Sequence, residues 1–306
     1  MAAVTPSDRE GSRLENVRRE VDLRGAAVAL LVSVLWGANP VAIKLGLTDA
    51  PPIRLAWMRF LVGGVVVVLW AWTTGRLAGL TLPRREWRPL IVLGLLFTAQ
   101  VASMNIGTSL TSAAHSAILL NLYAVHTVVL SHFLIAGDRL TPRRLGGVLI
   151  AYAGIVLLFA RGAPGGSATL LGDAIMFLSA LLLAERTVYL ARAVQHLEPV
   201  KLLLSQAVIG TAIFLVVSLA LETRPTQWTG RLAASVAYQG VLIAGFNFVV
   251  NLWLLKHYPP SRLAPFFLTQ PILGVVAAAL ITGDALTGEV LLASVAVAIG
   301  IGLASR

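Results

Sequence analysis

The sequence predicts an all-α integral membrane protein with ten transmembrane helices, arranged as two inverted five-helix repeats. Of its 306 residues, 57% are hydrophobic and only 12% are charged, a composition outside the range of soluble proteins. The apolar residues fall into ten stretches of roughly 20 residues, the length that a helix needs to cross a bilayer. A five-residue phrase near the end of the first half recurs 146 positions later. Together these observations predict a duplicated helical membrane protein.

The predicted spans follow one another with short loops, as antiparallel neighbours require. They cover residues 25–46, 53–73, 88–107, 113–135, 143–160, 172–191, 200–221, 233–255, 260–282 and 288–304. We divide the chain into a polar tail (1–24), a first repeat (25–160), a connector rich in Gly, Pro and Ser (161–171) and a second repeat (172–306). The tail lacks the apolar stretch of a secretory signal.

The repeated phrase is Gly-Asp-x-Leu-Thr, at residues 137–141 and 283–287. Five predicted spans separate the two copies, and because five is odd, the second half is inverted relative to the first. Inverted halves are typical of transporters, since two near-equivalent packings of one repeat create a site that opens to either side. We interpret the phrase itself as a turn that ends the fourth and ninth helices.

The net charge of +10 is explained by membrane topology. Of the 24 Lys and Arg residues, 17 lie in the tails and the even-numbered loops, and four lie in the alternate loops. By the positive-inside rule, the tail and both termini are cytoplasmic, and the 161–171 connector is periplasmic. We therefore expect a lipid bilayer as surroundings and no nucleic-acid partner.

Polar and aromatic side chains recur at helical spacing inside several spans. Residues three or four apart share a helix face, and polar groups at membrane depth normally face the interior of the bundle. We expect a central cavity for a small polar molecule. The candidate substrate-binding residues are Trp36, Asn39, Met104, His115, Leu119, Tyr123, Glu185, Asn247, Asn251, Phe266 and Gln270. For a single polar residue among them, an interhelical hydrogen bond is an equally good interpretation.

Four charged residues lie within the spans, where each costs about 2.5–3.5 kcal/mol at mid-depth on insertion scales. They are Lys44, Arg59, Glu185 and Arg186. One interpretation is a structural ion pair between Glu185 and Lys44 or Arg59. The functional interpretation is that a cation holds a substrate carboxylate, or that Glu185 binds a substrate amine or a proton. Lys44 and Arg59 could instead extend to the membrane interface.

Three prolines lie within spans and predict kinks, because each removes a backbone hydrogen bond. Pro40 lies in the first span, and Pro265 and Pro271 lie in the ninth. Each is a candidate gating hinge, although membrane helices also tolerate static proline kinks. The fifth and tenth spans are rich in glycine, which predicts close packing within one protomer, with a homodimer face as the alternative.

The sequence has no cysteine, no P-loop, no Ser nucleophile elbow and no zinc-protease signature. Its five histidines do not show metal-ligand spacing. We therefore expect no enzymatic activity, no metal and no cofactor.

Three motifs occur in order along the chain: Trp36-Gly37-Ala38-Asn39-Pro40, then Arg59-Phe60, then the twice-used Gly-Asp-x-Leu-Thr. In this order, over about residues 25–304, the chain resembles an EamA-type member of the drug/metabolite transporter superfamily, such as the bacterial aromatic amino-acid exporters. The resemblance implies a secondary carrier that exports small metabolites, often amino acids, across the bacterial inner membrane by alternating access. It also implies that the first four helices of each half surround the cavity, with the fifth and tenth outside.

On this basis we expect export of amino acids, with aromatic or large neutral ones preferred. Trp36, Tyr123 and Phe266 would contact the substrate side chain, and the amide side chains and His115 would hold its amino and carboxylate groups. The alternative is a multidrug exporter of cationic lipophilic compounds, for which Glu185 is the one intramembrane acid. Proton coupling, exchange and facilitated diffusion are all compatible with the sequence.

Overall fold

A computed structural model describes residues 21–78, 80–134, 140–161, 169–258 and 266–304, and every regular element among them is a helix. The first half contains α1 (Leu23–Asp49), α2 (Pro52–Thr73), α3 (Arg84–Leu110), α4 (Ala113–Asn121), α5 (Tyr123–Leu134) and α6 (Pro142–Arg161). The second half contains α7 (Leu170–Ala193), α8 (Pro199–Leu221), α9 (Gly230–Ala237), a π-helical segment (Tyr238–Asn247), α10 (Phe248–His257), α11 (Gln270–Ile281) and α12 (Gly288–Ala304). The predicted all-helical fold is confirmed.

Seven helical stretches of the described chain are long and apolar enough to cross a membrane. They are Leu23–Asp49, Pro52–Thr73, Arg84–Leu110, Ala113–Leu134, Pro142–Phe159, Pro199–Leu221 and Gly230–Asn251. α11 and α12 are shorter apolar helices, and α7 has 24 residues, among them Asp173, Glu185, Arg186 and Arg192. The protein is therefore a multi-pass membrane protein.

Two predicted spans are not uniform α-helices. The fourth changes at Leu122, whose N–H donates to the carbonyl of Leu119 at 3.2 Å, an i to i+3 bond that separates α4 from α5. The eighth contains the ten-residue π-helical segment. Since both features change the number of residues per turn, spacing alone does not decide which side chains share a face there.

The three predicted hinge prolines have different outcomes. Pro40 lies within α1, which continues through it to Asp49. Pro271 lies in the first turn of α11, where no backbone hydrogen bond is lost, so its predicted interior position is wrong. Pro265 lies outside the described residues.

Hydrogen bonds bring helix ends from both halves to one end of the bundle. The N–H and hydroxyl of Thr169, before α7, donate to the carbonyl of Leu110, the last residue of α3, at 3.1 and 2.8 Å. The Asn105 amide of α3 donates to the carbonyl of Pro52, the first residue of α2, at 2.8 Å. We call this end, where α1 and α3 end and α2, α4 and α7 begin, the junction face. α1 runs toward it and α7 away from it, the directions that inverted halves require.

The glycine-rich helices α6 and α12 pack closely against each other. A Cβ atom on Gly147 would lie 2.6 Å from the carbonyl oxygen of Gly300, and one on Gly300 would lie 2.6 Å from the Cβ of Ala151. Gly154 makes a similar approach to Ala293 and Ala296. The glycines therefore allow close packing of two helices within one protomer, which is the first of the two interpretations of the sequence.

Candidate functional site

The structure separates the predicted substrate-binding residues into groups. Met104, Leu119 and Tyr123 pack in the main apolar core, to which both halves contribute. Trp36 and Phe266 belong to a second apolar cluster, around α1 and α10. Met104, Leu119 and Tyr123 thus share one large apolar core, whereas the aromatic pair Trp36 and Phe266 lies in a different apolar cluster.

Trp36 contacts aromatic rings of the second half. Its ring centroid lies 6.3 Å from that of Phe248 and 6.3 Å from that of Phe267, both in edge-on geometry. The neighbouring Gly37 allows α1 to approach α11, since a Cβ there would lie 3.0 Å from the carbonyl oxygen of Gln270. This region of α1 is therefore part of the contact between the halves.

Arg59 of α2 lies inside the bundle, only 3% exposed, and does not extend to the membrane interface. Its Nη1 donates to Oε1 of Gln239 in the π-helical segment at 2.8 Å. The Gln239 amide in turn donates to the hydroxyl of Ser235 at 2.7 Å. The guanidinium carbon of Arg59 lies 4.5 Å from the ring centroid of Phe60. Arg59 thus connects the first half to the second.

Arg186 of α7 is also buried, at 9% exposed, with its guanidinium carbon 5.2 Å from the ring centroid of Phe97. The rings of Phe60 and Phe97 meet edge to face, with centroids 4.6 Å apart. Arg59 and Arg186 are close enough to repel each other electrostatically. We call Arg59, Phe60, Phe97 and Arg186 the arginine–phenylalanine cluster, to which each half contributes one cation.

The expected ion pair of Glu185 is not formed: among the described side chains, it bridges to neither Lys44 nor Arg59. Glu185 is exposed on the surface of α7, whereas the adjacent Arg186 faces the interior. Successive residues on an α-helix point about 100° apart, which places the two charges in different surroundings. The sequence identified both residues but not which one faces inward.

Lys44 has a structural role at the junction face. Its ammonium donates to the carbonyl oxygens of Thr108 and Thr111 at 3.1 and 2.5 Å. A cation at this position offsets the partial negative charge at the carboxyl end of α3 and satisfies carbonyls that lack helical partners. The structure therefore accounts for Lys44 without a substrate.

A small pocket adjoins the arginine–phenylalanine cluster. Its walls come from α2, α3, α8, the π-helical segment and α10, and so from both halves. The lining residues are Phe60, Gly63, Gly64, Val67, Phe97, Leu203, Gln206, Ala207, Ala244 and Phe248. The same two phenylalanine rings thus contact the arginines and line the pocket.

Buried amides of the predicted set retain unused hydrogen-bonding atoms. Within the described chain, Oδ1 of Asn39, Oδ1 of Asn247 and Nε2 of Gln270 are buried and lack a partner. The Asn247 amide donates to the carbonyl of Val32 at 3.1 Å, and Asn251 is half-buried. Buried polar groups are normally satisfied, so these atoms are candidates for contacts with a polar ligand.

Two residues that form hydrogen bonds between the halves, Gln239 and Ser179, were not among the residues selected from the sequence. Gln239 accepts a hydrogen bond from Arg59. The side-chain amide of Gln100 donates to the Ser179 hydroxyl at 3.3 Å, and that hydroxyl donates to the backbone carbonyl of Gln100 at 3.0 Å. Gln239 was recognisable as a polar residue in an apolar stretch, but Ser179 had no distinguishing signal.

His115 belongs to the junction face. Its Nδ1 lies 2.9 Å from Oδ2 of Asp173 in the first turn of α7, and the hydroxyl of Thr111 donates to the other carboxylate oxygen at 2.5 Å. All three side chains are buried. The structure thus places His115 in a polar contact between the halves.

The second copy of the repeated phrase also contacts the other half. Gly283 has φ of 71° and lies just after α11, the left-handed conformation that commonly ends a helix. Asp284 accepts a hydrogen bond from the N–H of Ala114, in the first turn of α4, at 2.8 Å. Asp284 is also close enough to Lys44 to interact electrostatically. Asp138 of the first copy lies outside the described residues.

Comparison with known proteins relates most of the chain to membrane transporters. The model of the EamA-like transporter family matches twice, over residues 23–160 and 170–306. A probable amino-acid metabolite efflux pump of Escherichia coli (strain K12) is 27% identical over 292 residues, which cover 91% of this chain and 93% of that protein. The uncharacterized transporter YoaV of Bacillus subtilis (strain 168) is 22% identical over 273 residues, covering 88% and 92%. One crystal structure matches with a TM-score of 0.66 at 21% identity, covering 92% of this chain and 98% of the other.

Proposed function

The chain belongs to the EamA-like transporter family, and from this premise we propose that it exports amino acids or related metabolites by alternating access. The twofold match of the family model and the amino-acid efflux pump among the relatives support the proposal. The observation that carries it is the pocket beside the arginine–phenylalanine cluster, whose walls belong to both halves. A site at the boundary of two halves opens to alternate sides when the halves move relative to each other.

We further propose that the chain lies in the bacterial inner membrane with the junction face toward the periplasm. The distribution of Lys and Arg along the sequence supports this orientation, because the helix-connecting segments at the junction face carry few of the cations. The direction we propose, from the cytoplasm to the periplasm, is supported by the efflux pump among the relatives.

Within this function, the sequence favours aromatic or large neutral amino acids. Tyr123 in the main core and Trp36 near the pocket residue Phe248 support contacts with an apolar side chain. The rival function, export of cationic lipophilic compounds, requires an acid in the interior. Glu185 is exposed and the interior carries Arg59 and Arg186, so the charge pattern opposes it.

Flux through purified protein in liposomes tests the proposal. We expect saturable uptake and counterflow of at least one member of a panel of amino acids, and no saturable transport of cationic dyes. Gly274→Leu should abolish flux, because a Cβ at Gly274 would already lie 2.8 Å from the carbonyl oxygen of Gly37 in the other half. The control, Ile272→Ala on the same helix, alters a lipid-facing side chain and should retain flux. Lack of flux of every amino acid would refute amino-acid export.

A further inference from the structure

Arg59 and Arg186 lie in the interior without a carboxylate to balance their charge. No described carboxylate forms an ion pair with either, and the Nε atom of each is buried without a hydrogen-bond partner. The one described hydrogen bond from these guanidinium groups goes to the neutral amide of Gln239. Charged groups inside a membrane protein normally pair or mark a ligand pathway. The cluster therefore has hydrogen-bond donors available for an acceptor that the chain does not supply.

The aromatic rings leave these donors free. A guanidinium interacts with a ring through its flat face, whereas its five N–H groups point outward in the guanidinium plane. Phe60 and Phe97 thus stabilise the two cations but accept no strong hydrogen bond and bring no negative charge. The planar fork of N–H groups matches a carboxylate, which accepts two parallel hydrogen bonds.

The two cations come from different halves and contact different rings. Arg59 of α2 lies against Phe60, and Arg186 of α7 lies against Phe97. A ligand that pairs with both cations therefore needs an acceptor group for each.

The acids of the neighbouring elements are engaged elsewhere. Asp173 binds His115 and Thr111 at the junction face, and Glu185 is exposed. A neutral amino acid is a zwitterion of zero net charge, so it would leave both buried charges unbalanced. A ligand with two carboxylates would balance them.

We infer that the arginine–phenylalanine cluster binds a small organic anion with two carboxylate groups, such as a dicarboxylate. The inference rests on the proposed transport function, and it replaces the preference for neutral amino acids with a preference for an anionic substrate. Arg59 and Arg186 would each hold one carboxylate.

Equilibrium binding to the purified full chain tests this inference, with succinate, L-glutamate, L-phenylalanine and inorganic phosphate as probes. We expect succinate to bind more tightly than L-glutamate, whose ammonium group leaves one buried charge unbalanced, and both to bind more tightly than phenylalanine or phosphate. Arg59→Gln and Arg186→Gln should each weaken succinate binding by about tenfold to a hundredfold, the range for hydrogen bonds to charged groups. Arg192→Gln is the matched control, because Arg192 lies on the same helix as Arg186 but is exposed, and it should leave affinity unchanged.

The lysine variants distinguish the contribution of the positive charge from that of the planar fork of N–H groups. Arg59→Lys and Arg186→Lys keep the charge but lose the planar fork, so they should retain more affinity for succinate than the glutamine variants. Unchanged succinate affinity in folded glutamine variants would overturn the inference, as would tighter binding of phenylalanine or phosphate by the native chain. If neutral amino acids are transported while the arginine variants behave normally, amino-acid export stands and the anion site fails. If dicarboxylates are transported but no amino acid is, the anion site stands and amino-acid export fails.

Discussion

The guanidinium of Arg231 in α9 holds both carboxylate oxygens of Asp49, the last residue of α1, with Nε to Oδ2 at 2.8 Å and Nη2 to Oδ1 at 2.6 Å. The hydroxyl of Thr229 donates to the same carboxylate at 2.6 Å. Near this pair, Glu222 accepts the N–H groups of Ile53 and Arg54, both at 2.7 Å, at the beginning of α2. Side chains and loops of the second half thus cap helix ends of the first half.

These contacts join the halves at the junction face and would have to separate when that face opens. We predict that Arg231→Gln favours the open arrangement, because it leaves the buried carboxylate of Asp49 with Thr229 as its side-chain partner. The chain has no native cysteine, so a single Ala113→Cys, buried at the start of α4, reports opening through its maleimide labelling rate. Labelling should be several-fold faster with Arg231→Gln than without it.

Arg192→Gln provides the control for this measurement, since Arg192 is an exposed cation away from the junction face. Its labelling rate should equal that of the parent Ala113→Cys protein. Equal rates for the Arg231 and Arg192 variants would mean that the Asp49–Arg231 pair does not hold the face closed.

A second prediction concerns the repeated phrase. Asp284→Ala should lower the free energy of unfolding by about 0.5–2 kcal/mol, because it removes an acceptor from a free N–H group in the first turn of α4. Asp284→Asn keeps a side-chain oxygen at this position and should cost less. Unfolding in mixed micelles measures both variants. A larger loss for Asn than for Ala would contradict the capping role.

Sequence patterns predicted the helices well because each span is set by its own hydropathy. The contacts that define the site were less predictable. Arg59 and Phe97 are 38 positions apart, and Arg186 is a further 89 positions away, so no local pattern links them. The adjacent pair Glu185 and Arg186 shows the limit most clearly, since local sequence identified two charges in a span while packing decided which one is buried.

Irregular helix geometry explains a second group of differences. The π-helical segment and the change at Leu122 depend on how neighbouring helices pack, as at Gly240, where a Cβ would lie 2.7 Å from the side chain of Val62. Regular α-helical spacing therefore selected Asn247 but not Gln239, and it did not predict the hydrogen bond between Gln239 and Arg59.

A third prediction tests the packing of α6 against α12. Gly147→Ala should destabilise the protein by about 1–3 kcal/mol, the usual cost of overpacking, because the new Cβ would lie 2.6 Å from backbone atoms of Gly300 and Ala304. Gly146→Ala is the matched control: no atom lies within 4 Å of its Cβ position. It should be neutral or stabilising by up to about 1 kcal/mol through helix propensity. Unfolding in mixed micelles compares the two, and equal losses would argue against this packing.

The last prediction concerns orientation, and the absence of native cysteine makes it direct to measure. Leu286→Cys places an exposed thiol in the loop between α11 and α12, at the junction face. Leu82→Cys places an exposed thiol in the loop between α2 and α3, at the opposite end. Since the positive-inside rule assigns the junction face to the periplasm, a membrane-impermeant maleimide should label Leu286→Cys in intact cells with a permeable outer membrane. Leu82→Cys should react only after the inner membrane is disrupted, and the reverse pattern would require the opposite orientation.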